Sequence, residues 1–201
     1  LLRLNTKPSC PFTMTLGVSA ELLVIQRVRM KPKLRCKIGA LVPLARRYSY
    51  ESSELDLSGL KDGIQDRGHL TKDDLRSVAR WKSPRSARYM ERNSDEFVRE
   101  ITAVAFGATN ERTRIESLTL LDGVQWPTAS VILHFFHNEP YPIIDFRALW
   151  TICLDVPPSY SFEIWQLYVE FCRKIARQSG LDMRTLDQAL WQYSKENQEP
   201  A

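Results

Sequence analysis

From Tyr50 onward apolar residues recur three to four positions apart, and the punctuation between them is that of helices. Thr71 followed by Asp74 predicts a helix start, with Leu75, Val78, Ala79 and Trp81 facing inward and a stop before Pro84. Pro84 suits the first position of a short helix running through Tyr89 to Arg92. Ser94 caps a segment whose stripe is Phe97, Ile101, Val104 and Ala105, closed by Gly107. Asn110 caps the next, with Ile115, Leu118 and Leu121 inward and an end at Asp122-Gly123. Pro127 opens a strongly apolar helix through Ala129, Val131, Ile132, Leu133 and Phe135. Asp145 stands where a cap belongs, ahead of Phe146 to Trp150. Beyond the Pro157-Pro158 break, a long amphipathic helix spans roughly 161–178 with Gly180 past its end. Asp182 caps the last helix.

Strand signals are scarce and no repeat is visible. About eight helices with short connections predict an all-α, compact multi-helix domain. The chain of 201 residues then divides into a basic extension, 1–49, and a helical domain, 50–201. A composition of 43% hydrophobic and 26% charged residues is that of a soluble globular chain. No apolar run is long enough to span a bilayer, so no membrane partner is expected.

Charge changes the picture only in its distribution. The net +4 combines +9 over residues 1–50, which hold a single acid (Glu21), with −5 over the remainder. Arg27, Arg29, Lys31, Lys33, Arg35 and Lys37 alternate along the extension. Such a run can neutralise phosphates one by one, or it can be a solvated, poorly ordered leader. Residues 16–25 are moderately apolar, but Glu21 interrupts them and no clean cleavage site follows, so a cytoplasmic protein is expected. Cys10, Cys36, Cys153 and Cys172 lack the close spacing of zinc or iron–sulfur ligands and read as small hydrophobes. His134 and His137 lie three apart without a third ligand, so no metal is expected.

Candidate chemistry concentrates between Leu118 and Trp150. Two predicted helices flank a tight turn, Asp122-Gly123-Val124-Gln125-Trp126, in which Val124 can anchor inward. The second helix begins Pro127-Thr128-Ala129-Ser130, and its first-turn N–H groups make a ready anion site. A plain pair of antiparallel helices has the same signature.

These residues resemble the helix-hairpin-helix superfamily of base-excision DNA glycosylases. Leu121, Gly123, Val124, Thr128 and Ala129 match that family's hairpin, roughly L-P-G-V-G-x-x-T-A. The family places an essential aspartate eighteen residues after the position that some members fill with a catalytic lysine. Here those positions are Asp145 and Pro127. The close match covers about 35 residues, and the chain departs from it in several places. Pro127 cannot form a Schiff base, Gln125 replaces the second turn glycine, and Asp122 puts a negative charge where a DNA phosphate would lie. The iron–sulfur cysteines of one branch are missing.

The resemblance implies a monofunctional DNA glycosylase acting on a damaged base in double-stranded DNA, as a nucleoid-associated monomer. It implies no cofactor beyond a structural monovalent cation at the hairpin. Asp145 would be the catalytic group, because a fixed carboxylate stabilises the oxocarbenium-like sugar and activates water; a bare N-cap is the other reading. Gly123, Val124, Gln125, Trp126, Thr128 and Arg147 would contact DNA. Trp81, Lys82, Tyr89 and Tyr141 are base-pocket candidates, and Trp126 is the best-placed aromatic, since a turn facing the ligand buries it poorly. Arg80, Lys82, Arg85, Arg88 and Arg92 interleave with Trp81 and Tyr89, the composition of a nucleic-acid surface or of a solvated helix face. Lys82 is the one lysine near this cluster able to act as a nucleophile. The alternatives are a non-catalytic DNA-binding module and a helical interaction protein.

Overall fold

The computed structural model describes residues 31–49, 55–154, 157 and 159–199, with the side chains of residues 55 and 56 excluded. Arg27, Arg29, Cys10, Glu21, the apolar run 16–25 and Pro158 lie outside the described residues. The chain divides into two compact units, Leu1–Lys31 and Pro32–Ala201, and the helices belong to the second.

Among the described residues every regular element is helical: α1 (Leu41–Arg46), α2 (Leu55–Ser58), α3 (Lys61–Arg67), α4 (Lys72–Lys82), α5 (Ala87–Met90), α6 (Asp95–Gly107), α7 (Glu111–Leu118), α8 (Trp126–Phe136), α9 (Phe146–Thr151), α10 (Phe162–Ser179) and α11 (Met183–Asn197). Short 3-10 turns at Ile38–Ala40 and Pro84–Ser86 lead into α1 and α5. No helix among these residues is long and apolar enough to cross a membrane.

Local chemistry sets most of the boundaries. Thr71 and Asp74 form a reciprocal capping box at α4, with Thr71 N–H donating to Asp74 at 2.8 Å. Ser94, Asn110 and Asp182 each accept first-turn N–H groups of α6, α7 and α11. Gly180 closes α10 at φ 69°, in the left-handed region that favours glycine.

Two expectations are corrected. On α6 the buried face is Val98, Thr102 and Ala105, whereas Phe97 and Val104 are exposed. Ala105 is buried and Ile101 packs partly against the core as expected, but Val98 and Thr102 face inward where Phe97 and Val104 do not, and Thr102 turns its hydroxyl to the core. There it donates to Val98 O at 2.7 Å and accepts from Leu70 N–H at 2.9 Å.

The second correction concerns the extension, whose last third is not a leader. Residues 32–49 belong to the helical unit. Helix α1 packs on α11, with Leu41 and Leu44 buried. Upstream, Lys33 and Arg35 N–H donate to Ile152 and Thr151 carbonyls, both at 2.9 Å. The sequence conceals this because α1 has six residues and no capping side chain.

Helix α11 ties the unit together, packing on α1, α9 and α10. Helix α8 lies against α3, α4 and α7 and is buried along nearly its whole length. Trp165, Tyr141, Tyr168 and Phe136 are the largest fully buried side chains. Truncating Leu41 removes a fully buried side chain, so Leu41→Ala should cost about 2–5 kcal/mol in chemical denaturation. An unchanged midpoint would place α1 outside the folded unit.

Candidate functional site

Seven residues, 119–125, connect α7 to α8, and their shape is forced. Val124 is fully buried, and its N–H donates to Leu121 O at 3.0 Å. Gly123 sits at φ 82°, where an added Cβ would lie 2.8 Å from Met90 Cγ and 3.0 Å from both Met90 N and Ser86 O. The turn therefore rests on the Pro84–Met90 segment. Asn93, buried at 4% exposure, locks the contact from both sides. Its Nδ2 donates to Met90 O at 2.9 Å and to Asp122 O at 3.0 Å, while its Oδ1 accepts Asp122 N–H at 2.9 Å. Sequence reasoning missed Asn93, which carries no local signal beyond its place before a cap.

This contact sets the basic segment beside the turn. Arg85, Arg88, Tyr89 and Arg92 are exposed, and the Arg88 and Arg92 guanidiniums lie 4.7 and 5.1 Å from the Tyr89 ring centre. Gln125 and Asp122 are also exposed, whereas Thr128 is buried, so only its backbone is available to a ligand. Pro127 has no N–H, and Ala129 N–H goes to Gln125 O at 2.8 Å, which leaves Trp126 and Thr128 as amide donors in that turn. The carbonyls of Leu118, Leu121 and Asp122 each already accept an N–H, so a cation at the turn would share occupied oxygens.

Past α8 the chain runs without regular structure from Pro140 to Asp145, buried from Tyr141 to Ile144, and side chains bond several of its backbone groups. His134 Nδ1–H donates to Tyr141 O at 2.6 Å, and Tyr168 hydroxyl donates to Ile143 O at 3.0 Å. Asp187 accepts Ile143 N–H at 3.1 Å, and Ser130 accepts Ile144 N–H at 3.0 Å. Ser130 hydroxyl in turn donates to Pro127 O at 2.7 Å, joining this run to the start of α8. Burial and the Arg184 charge hold His134 neutral, its pKa pushed down to about 3. His134 therefore serves as a structural donor. Among the described residues no group of three His, Cys, Asp or Glu is placed to hold a metal ion.

The run ends at Asp145. One carboxylate oxygen caps α9, accepting Ala148 N–H at 2.8 Å; the other lies 3.5 Å from Lys82 Nζ. Both side chains are largely enclosed, at 16% and 15% exposure. Lys82 ends α4, so the carboxylate is fixed between a lysine and a helix start. Tyr160, half-buried in the connection between α9 and α10, senses the same charge: burial, then Asp145, raises its hydroxyl to about 12. Tyr160 stays a neutral O–H at physiological pH, and no sequence pattern pointed to it. Arg147 stacks over Phe146 and Trp191 at 5.0 and 5.3 Å, and Phe146 is exposed beside Asp145.

The remaining pocket candidates are placed differently from expectation. Trp81 is a core residue at 6% exposure, edge-on to Phe135. Tyr141 is fully buried and stacks on Trp165 at 5.7 Å; its hydroxyl donates to Glu111 at 2.7 Å. Neither ring is open to a flipped base. Trp126 is half-buried against Trp165, because α8 starts at this residue and turns its ring toward α10. Lys82 pairs with the Asp145 carboxylate, and Tyr89 is exposed on the basic segment.

Comparison with protein-family models, with curated proteins and with solved structures gives no match in any of the three.

This geometry predicts two outcomes. Gly123→Ala forces both a left-handed backbone and a collision with Met90, and should lower stability by about 2 kcal/mol or more in thermal unfolding. Asp187 is fully enclosed, and desolvation outweighs the opposing Arg184 charge, raising its carboxyl to about 7. Between pH of about 4, the ordinary aspartate range, and about 7, the unfolded chain releases this proton while the folded chain keeps it. Its contribution to stability is thus present at low pH and is lost as pH rises through that window. Urea titrations should show that fall in the parent and not in Asp187→Asn; equal pH dependence would contradict it.

Proposed function

We propose that the protein releases a damaged base from double-stranded DNA by hydrolysing its N-glycosidic bond, acting as a monomer in the nucleoid of the cell. The observation that carries this reading is the enclosed Asp145 carboxylate, fixed by Ala148 N–H and Lys82 beside a turn flanked by exposed cations. In the reaction the C1′–N bond breaks, its electron pair leaves with the base, and positive charge builds on the sugar. Asp145 faces that charge and takes the proton of the attacking water, whose oxygen bonds to C1′. Lys82 and the α9 terminus keep the carboxylate oriented, and Tyr160 offers a neutral hydroxyl to the same space. The amides of Trp126 and Thr128, with Gln125 and the Arg85–Arg92 cations, take phosphates on either side of the lesion. Arg147 reaches from the first turn of α9, and Gly123 and Val124 shape the turn without a side-chain contact of their own.

A second reading, a DNA-binding module without catalysis, is favoured by one feature. Asp122 exposes a negative charge on the turn itself and repels a phosphate there.

Asp145→Asn separates these readings, because asparagine still caps α9 but removes the charge that faces the sugar. Duplexes carrying alkylated, oxidised or deaminated bases are incubated with protein, and abasic sites are then cleaved chemically. Base release is expected from the parent, with a loss of about 10²–10⁴-fold in Asp145→Asn at unchanged helicity. Activity retained in that variant removes Asp145 from the reaction. Duplex binding without release from any lesion favours the binding module, and no binding favours a helical interaction protein. Borohydride is expected to trap no adduct; an adduct that disappears in Lys82→Ala would replace hydrolysis by an imine route through that lysine.

A further inference from the structure

Residues 32–49 carry Lys33, Arg35, Lys37, Arg46 and Arg47 and not one acid. Of these, only Arg47 pairs with a carboxylate among the described residues, through Glu196 at 2.8 Å. Five like charges in eighteen residues repel one another, and a folded surface that holds them together is stabilised by an anionic partner.

The segment is ordered by its alternation. Leu34 and Cys36 turn inward and pack against the core, while Lys33, Arg35 and Lys37 face solvent. The backbone is pinned to the end of α9, where Lys33 N–H donates to Ile152 O and Arg35 N–H to Thr151 O, both at 2.9 Å. Arg35 Nε donates to Trp150 O at 2.6 Å, and its guanidinium lies 4.4 Å from the Trp150 ring centre. Trp150 itself stacks on Tyr193 at 6.0 Å. Arg35 is thereby occupied in sealing α9, whose last carbonyls need donors. Lys33 and Lys37 have no such duty. The chain bends between them, at Arg35 and Cys36, and both side chains are exposed on the run that is pinned to the end of α9.

Position gives the segment its partner. Asp145 caps the start of α9, and the pinned run closes its other end. Six residues of helix separate them, about 9 Å at 1.5 Å per residue. Along duplex DNA, 9 Å covers about five phosphate charges. A duplex engaged at Asp145 and extending along α9 brings its backbone to Lys33 and Lys37.

We propose that the run Lys33–Lys37 is a phosphate-binding clamp that grips the DNA backbone beside the Asp145 site, independently of the lesion. The identity of the partner rests on the proposed DNA reading, but the clamp itself requires no catalysis. Because inward anchors and backbone bonds already order the run, its cations meet phosphates with little further loss of freedom.

The test measures binding of the full chain to an undamaged duplex across a salt series, read as the slope of log affinity against log salt. The double variant Lys33→Gln/Lys37→Gln removes two solvent-facing charges and leaves Leu34, Arg35 and Cys36 in place. Its slope should fall by about 2, at about 0.9 per phosphate contact. Arg99→Gln on α6, which packs on α4 and α7, should leave the slope unchanged. A double-variant slope equal to the parent's overturns the clamp. So does a fall of about 1 in Arg99→Gln, which would mean diffuse attraction, and so does a parent that binds no duplex. Base release at saturating protein should be unaffected in the double variant and lost in Asp145→Asn. A failure of the clamp is thus read from salt slopes, and a failure of the glycosylase reading from base release.

Discussion

A segment without regular structure, buried inside a helical unit, cannot satisfy its backbone within itself, and the surrounding helices supply partners for it. Residues 140–145 have no neighbouring strand among the described residues, yet all four of the segment's interior residues, 141–144, are buried. Water cannot reach those peptide groups, so each unpaired one would cost about 1–3 kcal/mol. His134, Tyr168, Asp187 and Ser130 supply the partners, from α8, α10 and α11. Three helices are therefore positioned by one short run, and the run delivers Asp145 to the start of α9.

The same logic explains the charge at the site. Asp187 is held inside the protein for its acceptor oxygen, and burial raises it to about 7 despite Arg184 at 2.7 Å. Asp145, a few residues along the run, is paired instead with Lys82 and a backbone N–H. Two aspartates near one another have been given different surroundings, one enclosed and holding the segment, the other fixed between a lysine and a helix start. The basic segment meets the turn through Asn93 and Gly123, so where its cations lie follows from packing and not from the overall charge of +4.

The extension shows how far charge distribution misleads when read alone. Its +9 described a leader, but Leu34, Cys36, Leu41 and Leu44 carry the last third of it into the folded unit. Four apolar side chains among so many cations were too sparse a pattern to register as a helix. What ordered them was the surface of α11 and the open end of α9, neither of which is written in residues 32–49.

The chain alone determined the elements whose signals lie within one helical turn. The Thr71 and Asp74 box, the caps at Ser94, Asn110, Asp145 and Asp182, and the stop at Gly180 all act over three or four residues, and each stands where the pattern put it. Asp145 and the glycine turn were legible for that reason. Tertiary structure alone decided which groups meet: Lys82 with Asp145, Asn93 with a backbone 29 residues away, Arg35 with a carbonyl 115 residues away. It also withdrew Trp81 and Tyr141 into the core, since an aromatic ring has the same local signature whether it lines a pocket or fills one. Caps and turns are short-range hydrogen bonds written in neighbouring residues, whereas burial and charge pairing depend on where distant helices are brought to rest.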